Sequence, residues 1–282
     1  MYRVACAFWL GWLFYRALAV ALRWLCGRHW VLQRFSAGLR PIRQFLADAQ
    51  LTGVEADRVV ADALMLHLWS RIWGVGLTRL RPADFASICR VEGFEAVLAC
   101  LADGGGVICA HHHAQFVHSY WTWLAGTAYA SSTVFVPVRG ADRYGYDAMK
   151  ANAVALRQST LALRAGELVN VVPDGVKGKQ GIEHDFFGRL RGFQPGFAEL
   201  ALAAPAPVVP VCVIMDTQGR LLIRFGVPFQ RDSGATTHHD AVLHLVEQYV
   251  AFLREAWRGA PANIGPGALQ TQLNFPLKPS SE

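Results

Sequence analysis

Gly106-Val107-Ile108-Cys109-Ala110-His111-His112-His113-Ala114-Gln115-Phe116-Val117-His118 is the stretch that decides how this chain reads. The glycines Gly104-Gly105-Gly106 stop whatever precedes, a short unbroken apolar run follows, and four of the ten histidines then fall within eight residues. An apolar run of this length without alternation predicts a strand buried on both faces. Groups placed directly after such a strand sit at the carboxyl end of a sheet, where α/β proteins gather ligands and catalytic side chains.

The same alternation extends outward. Residues 133–138, 168–172 (stopped by Pro173), 207–214 and 220–225 read as further strands, and residues 94–102, 146–165, 197–204 and 239–257 as helices. Residues 30–80 read as helical, with an uninterrupted apolar pattern from Asp57 to Trp69 and an end at Arg81-Pro82. The order predicts an α/β fold, a central mostly parallel sheet flanked by helices. Beyond Gly259 the periodicity fades, and the tail reads as loop.

Composition narrows the class. The 282 residues are 53% hydrophobic and 17% charged, against about a quarter charged in an ordinary soluble domain. Such a chain buries a core, which excludes disorder. No uncharged run reaches the ~20 residues of a spanning helix, which argues against a polytopic membrane protein. The net charge of +6 favours anionic partners, an acidic carrier protein or a lipid headgroup surface. The basic residues form neither a block nor a zinc-finger spacing, so nucleic acid is not expected as a partner. Cys6, Cys26, Cys89, Cys100, Cys109 and Cys212 lie scattered without a CxxC pair, as in a reducing compartment.

The first 26 residues are apolar and aromatic, interrupted by Arg16 and Arg23, with Phe8, Trp9, Trp12, Phe14, Tyr15 and Trp24 suited to the headgroup level. Residues 1–28 are therefore expected to be a membrane anchor or interfacial helix and 29–282 a single domain. A cleaved signal peptide, suggested by Ala17-Leu18-Ala19, and a helix of the soluble core are the alternatives.

Three segments carry the chemistry. The histidines after the 106–110 strand offer a general base near neutral pH, or simply polar caps for the strand end. His111, His113 and His118 could supply three nitrogen ligands, but the segment has no carboxylate and no HExxH pattern, so no metal is expected. Pro173-Asp174-Gly175-Val176-Lys177-Gly178-Lys179 also follows a strand. Its glycines admit close backbone approach, and Lys177 and Lys179 can hold an anion; read alone it is an ordinary turn. The third segment runs from Glu183 to Gly196. Phe186, Phe187 and Gly188 offer apolar surface for an acyl chain beside Arg189 and Arg191 for a phosphate; otherwise it is a packed loop.

Taken in order, these pieces resemble the lysophospholipid acyltransferase superfamily, and within it the late acyltransferases of lipid A biosynthesis. The resemblance spans about residues 90–230. It rests on Gly106-Val107 leading to His113, Arg139 after Phe135-Val136-Pro137, Gly166-Glu167, Pro173-Asp174-Gly175, Phe186-Phe187-Gly188, Pro195-Gly196 and Val208-Val209-Pro210-Val211. It implies a histidine that takes a proton from an acceptor hydroxyl, which then attacks an acyl thioester, and a carboxylate five positions on that orients the imidazole. The histidine maps to His113. The carboxylate position holds His118 instead.

Three explanations fit that departure: a carboxylate elsewhere, such as Asp174, reaches the site; the His113–His118 pair suffices; or the chain binds lipid without catalysis. The expectation taken is His113 as base with His118 as its orienter. Arg139, Asp174, Gly175, Lys177, Lys179, Phe186, Phe187, Gly188, Arg189 and Arg191 are expected to bind substrate, and Phe116, Trp121 and Phe186 or Phe187 to wall an acyl groove. The implied donor is an acyl carrier protein or coenzyme A thioester and the implied acceptor a lipid-like hydroxyl or amine. The implied place is the cytoplasmic face of a bacterial inner membrane, and no cofactor is implied. Residues 260–273 lack the tryptophan–histidine-rich ending of the lipid A branch, which leaves room for a different acceptor.

Overall fold

The computed structural model describes residues 13–14, 17–77, 85, 89–127, 131–133, 148–174, 181–231 and 234–274. Its elements in chain order are a helix over 17–26 (α1), α2 (His29–Arg34), α3 (Ser36–Asp48), α4 (Gly53–Leu77), β1 (Cys89–Glu92), α5 (Phe94–Ala102), β2 (Val107–Ala110), α6 (Val117–Leu124), β3 (Ser131–Thr133), α7 (Ala148–Arg164) and β4 (Leu168–Val171). There follow β5 (Ile182–Phe186), β6 (Arg189–Phe193), α8 (Gly196–Ala203), β7 (Val208–Met215), β8 (Leu221–Phe225), α9 (His238–Gly259), a 3₁₀ turn (Pro261–Asn263) and α10 (Pro266–Asn274).

The central sheet runs β1-β8-β7-β2-β4-β3, and every pairing in it is parallel except β7 with β8. β2 and β4 lie side by side inside it, and all four residues of each are buried. That burial is why both read as unbroken apolar runs. Gly106 must be glycine for β2 to sit where it does. A Cβ there would come within 2.5 Å of the Leu163 backbone, so α7 and the start of β2 touch main chain to main chain.

The structure also holds elements that the sequence expectations do not include, among them α6. In sequence, no element is expected at β1, and the antiparallel hairpin β5–β6 reads as a substrate-binding segment or a packed loop. The tail after Gly259 is not loop either: the 3₁₀ turn packs on α4 and α10 packs on α3. The strand expected over 133–138 falls mostly outside the described residues.

No described helix is long and apolar enough to cross a membrane. The 17–26 helix buries Ala19 and Cys26, and its Arg23 reaches Asp62 of α4 at 3.5 Å. Leu13, Phe14, Val20 and Trp24 stay exposed, followed by Trp30 of α2 and Phe35. Val20 and Trp24 are about one turn apart on the 17–26 helix, which places them on one helical face.

Candidate active site

The register of β2 against β4 builds the site. Ala110 pairs with Val171, so the two strands end level with each other. Three residues past Ala110 comes His113, and three past Val171 comes Asp174. The two side chains are 61 residues apart in sequence and meet above the carboxyl ends of the strands, as the fold class directs.

The contact is made twice. Asp174 Oδ1 lies 2.7 Å from His113 Nδ1, and Asp174 Oδ2 accepts the His113 backbone N–H at 3.0 Å. One carboxylate thus fixes both the main chain and the ring of the same residue. With Nδ1–H donated to the carboxylate, the neutral ring carries its lone pair on Nε2. The His113 side chain is 51% exposed while that of Asp174 is wholly buried.

The electrostatics follow from this geometry. The charge of Asp174 and its hydrogen bond raise the pKa of His113 above the ordinary histidine value, against the opposing effects of burial and Arg191. Burial by itself pushes Asp174 upward, but His113, Arg191 and His112 outweigh it and hold the carboxyl at about 2. Burial lowers His111 and His112 to about 4, so both are neutral near pH 7. Of three consecutive histidines, His113 alone has an exposed side chain, and its pKa alone is raised.

The other two anchor the loop or fill space beneath it. Asn170 Oδ1 accepts from the Tyr120 hydroxyl at 2.8 Å and from His111 Nε2 at 3.1 Å. The Tyr249 hydroxyl donates to the His111 carbonyl at 2.6 Å. His112 is buried beside Phe252. Sequence reasoning passed over Asn170, Tyr120 and Tyr249. A lone asparagine inside the apolar run Leu168-Val169-Asn170-Val171 was the available signal, because a buried polar side chain needs partners.

Beneath the pair lies Arg191. Its guanidinium is fully buried, donates from Nη2 to the Asp174 carbonyl at 2.9 Å and stands 3.8 Å from Asp174 Oδ2. The rings of Phe186, Phe193 and Trp257 surround it at 5.2–5.4 Å. Cation–π attraction and the carboxylate together compensate a charge that would otherwise be costly to bury.

Several sequence expectations are corrected here. His118 lies on α6, exposed, and its ring makes no hydrogen bond among the described residues; its backbone carbonyl accepts from Thr122. The orienting group at Nδ1 of His113 is the Asp174 carboxylate, not the His118 ring. Arg189 and Arg191 do not face outward for an anion. Arg189 pairs with Asp48 of α3 at 2.6 Å, both side chains about a tenth exposed, and Arg191 pairs with Asp174.

Phe186 and Phe187 pack into an aromatic cluster with Phe45 and Trp257, at centroid distances of 4.8–6.4 Å, rather than walling an open groove. Phe187 and Gly188 form the hairpin's two-residue turn, both at positive φ (55° and 74°). Phe116 is buried, and Trp121 is half-buried beside the His111 ring at 5.4 Å. Arg139, Gly175, Lys177 and Lys179 lie outside the described residues.

Residues 77–257 match the bacterial lipid A biosynthesis acyltransferase family. Among solved structures, the chain is similar to the 1-acyl-sn-glycerophosphate (LPA) acyltransferase PlsC from Thermotoga maritima. Identity is 14%, the TM-score is 0.36, and the match covers 87% of this chain and 96% of that one. No curated protein matches the chain. With well over half of its length inside the family match, the chain belongs to the bacterial lipid A biosynthesis acyltransferase family and is an acyltransferase.

Proposed function

We propose that this acyltransferase moves an acyl group from an acyl carrier protein or coenzyme A thioester to a hydroxyl or amine of a lipid-like acceptor, with His113 as general base and Asp174 as its orienting acid. The two-point grip of Asp174 on His113 carries the reading, because it holds Nε2 outward with its lone pair free. Nε2 takes the acceptor's proton as the acceptor oxygen or nitrogen attacks the thioester carbon. The C–S bond then breaks, and the imidazolium returns its proton to the departing thiolate, leaving an ester or amide and a free thiol. Asp174 stabilises the imidazolium while it exists. An acidic partner touching His113 favours this reading over a non-catalytic lipid binder.

The same reading places the protein on the cytoplasmic face of a bacterial inner membrane, with the N-terminal residues as an anchor or interfacial helix. The exposed apolar side chains Leu13, Val20, Trp24, Trp30 and Phe35 support it, as does Arg28 stacked 4.0 Å over the Trp24 ring. The net charge of +6 suits an acidic carrier or anionic headgroups.

The test is thioester release by full-length protein in detergent, with palmitoyl-coenzyme A and palmitoyl-carrier protein offered against a panel of hydroxyl- and amine-bearing lipids. Acceptor-dependent thiol release that falls about 10²–10⁴-fold in His113→Ala is the expected result. Undiminished transfer by that variant would remove His113 from the mechanism.

A further inference from the structure

The segment that follows the family-matched region is bonded directly to the loop that carries His113. Gly265 N–H donates to the His113 carbonyl at 3.0 Å, and Gln115 N–H donates to the Asn263 carbonyl at 3.0 Å. Gln115 Nε2 donates to the Ala262 carbonyl at 3.0 Å, and Ala114 and Ile264 form an antiparallel bridge. The strap is in turn fixed to the sheet. The buried Asn263 amide accepts from Met215 N–H at 2.8 Å and donates to the Met215 carbonyl at 3.1 Å, so its side chain acts as a strand partner for the end of β7.

His113 is therefore held by its main chain from two sides. Asp174 takes the N–H, and Gly265 supplies the donor to the carbonyl. There is no room to spare on the second side. A Cβ at Gly265 would stand 2.6 Å from the His113 carbonyl oxygen, too close for the loop to keep its place. At Gly267, two residues on, a Cβ would meet nothing within 4 Å.

We propose that the strap Pro261–Gly265 is a positioning element for the catalytic histidine: bonded to the end of β7, it sets where the His113 main chain sits so that the ring meets Asp174. The inference rests on the reading of His113 as base. It assigns a catalytic task to residues outside the family match, which stops at residue 257. A small displacement of a reacting group costs much; about 1 Å of misplacement can lower a rate about 10²-fold.

The experiment is a titration of the histidine rings by NMR in full-length protein labelled at histidine and held in detergent, with His113→Gln used to assign the His113 signal. Wild-type His113 is expected to titrate above the ordinary value near 6.5, because Asp174 touches it. In Gly265→Ala the His113 titration should move down toward that value as the ring separates from Asp174, and acyl transfer should fall at least about tenfold in kcat with KM little changed.

Gly267→Ala, the same change in open space, should leave both readings at wild type. If Gly265→Ala does not fold, Gln115→Ala removes one strap bond only and should shift the titration in the same direction by less. A raised His113 titration that neither Gly265→Ala nor Gln115→Ala moves would overturn the strap's role alone. A wild-type His113 titrating at the ordinary value would instead overturn the pairing with Asp174, and with it the reading of the site.

Discussion

The loop after β2 and the β5–β6 hairpin each deliver one cationic or potentially cationic side chain to the same carboxylate. From the loop comes His113, its side chain 51% exposed; from the hairpin comes Arg191, its side chain wholly buried. The difference follows from what each charge can do. An imidazole changes charge near neutral pH, so its ring is useful only where a substrate proton can reach it. A guanidinium keeps its charge at any physiological pH, so sealing it among aromatic rings turns it into a fixed field at Asp174. In the proposed reaction one group acts by titrating and the other by keeping its charge.

The sharpest way to break that comparison is at the shared carboxylate. Asp174→Asn should lower kcat/KM by about 10²–10⁴-fold, because the amide neither enforces the tautomer of His113 nor stabilises its imidazolium. The proposed base His113 acts in its neutral form and its pKa is raised, so under that proposal the wild-type rate should climb with pH through a value above that of ordinary histidine. In Asp174→Asn this acid limb should move to lower pH. A pH–rate profile checks both, and an unmoved limb would mean that another group titrates.

Arg191→Met should act mainly on stability, since it leaves Asp174 buried without its fixed cation. A loss of about 3–5 kcal/mol is expected, read as a fall in Tm on the order of 10 °C. Arg191 also opposes protonation of His113. The acid limb should therefore move up in this variant, opposite to its movement in Asp174→Asn. Limbs shifted the same way in both would contradict opposed roles for the two partners.

A smaller effect concerns acid. The carboxyl of Asp174 is held at about 2, below its unfolded value, so its contribution to stability is present above roughly pH 4 and lost as pH falls toward 2. Denaturant titrations at several acidic pH values should show a loss on the order of 2 kcal/mol in wild type that Asp174→Asn does not share. The raised pKa of His113 works in the other direction. Its contribution is complete below the unfolded value near 6.5 and fades as pH rises through the folded one.

The smallest effect is expected at His118. His118→Ala should change transfer by less than about twofold and stability by no more than about 0.5 kcal/mol, as for an ordinary surface substitution. A large loss there would restore His118 to the mechanism.

Local pattern made much of the fold legible. β2, β4 and β7 are largely buried runs bounded by glycine, proline or a turn, β8 alternates buried and more open positions, and α5 spans the residues its periodicity marks. The hairpin was hidden because its turn is Phe187-Gly188 rather than a usual Asn-Gly or Asp-Gly pair. The aromatic cluster of Phe45 and Trp257 holds the Phe187 ring, and that is invisible without the packing. The tail was hidden for a related reason. Pro261, Gly265, Pro266 and Gly267 read as breakers, yet the glycine is where main chain meets main chain.

The sequence alone pointed to the class of chemistry through the family that its ordered motifs resemble. Buried strands ending in a histidine cluster and in Pro173-Asp174, in order along an alternating chain, marked where a site would lie, and the resemblance to the acyltransferase family singled out His113 within the cluster and kept Asp174 within consideration. What it could not decide was which partner His113 takes. A count of residues along the chain measures only local neighbours, and it led to His118. The choice of Asp174 depends on parallel pairing that sets Ala110 beside Val171, and on a hairpin and a strap that close around the two loops. Those contacts join residues tens of positions apart, so they exist only once the sheet has formed.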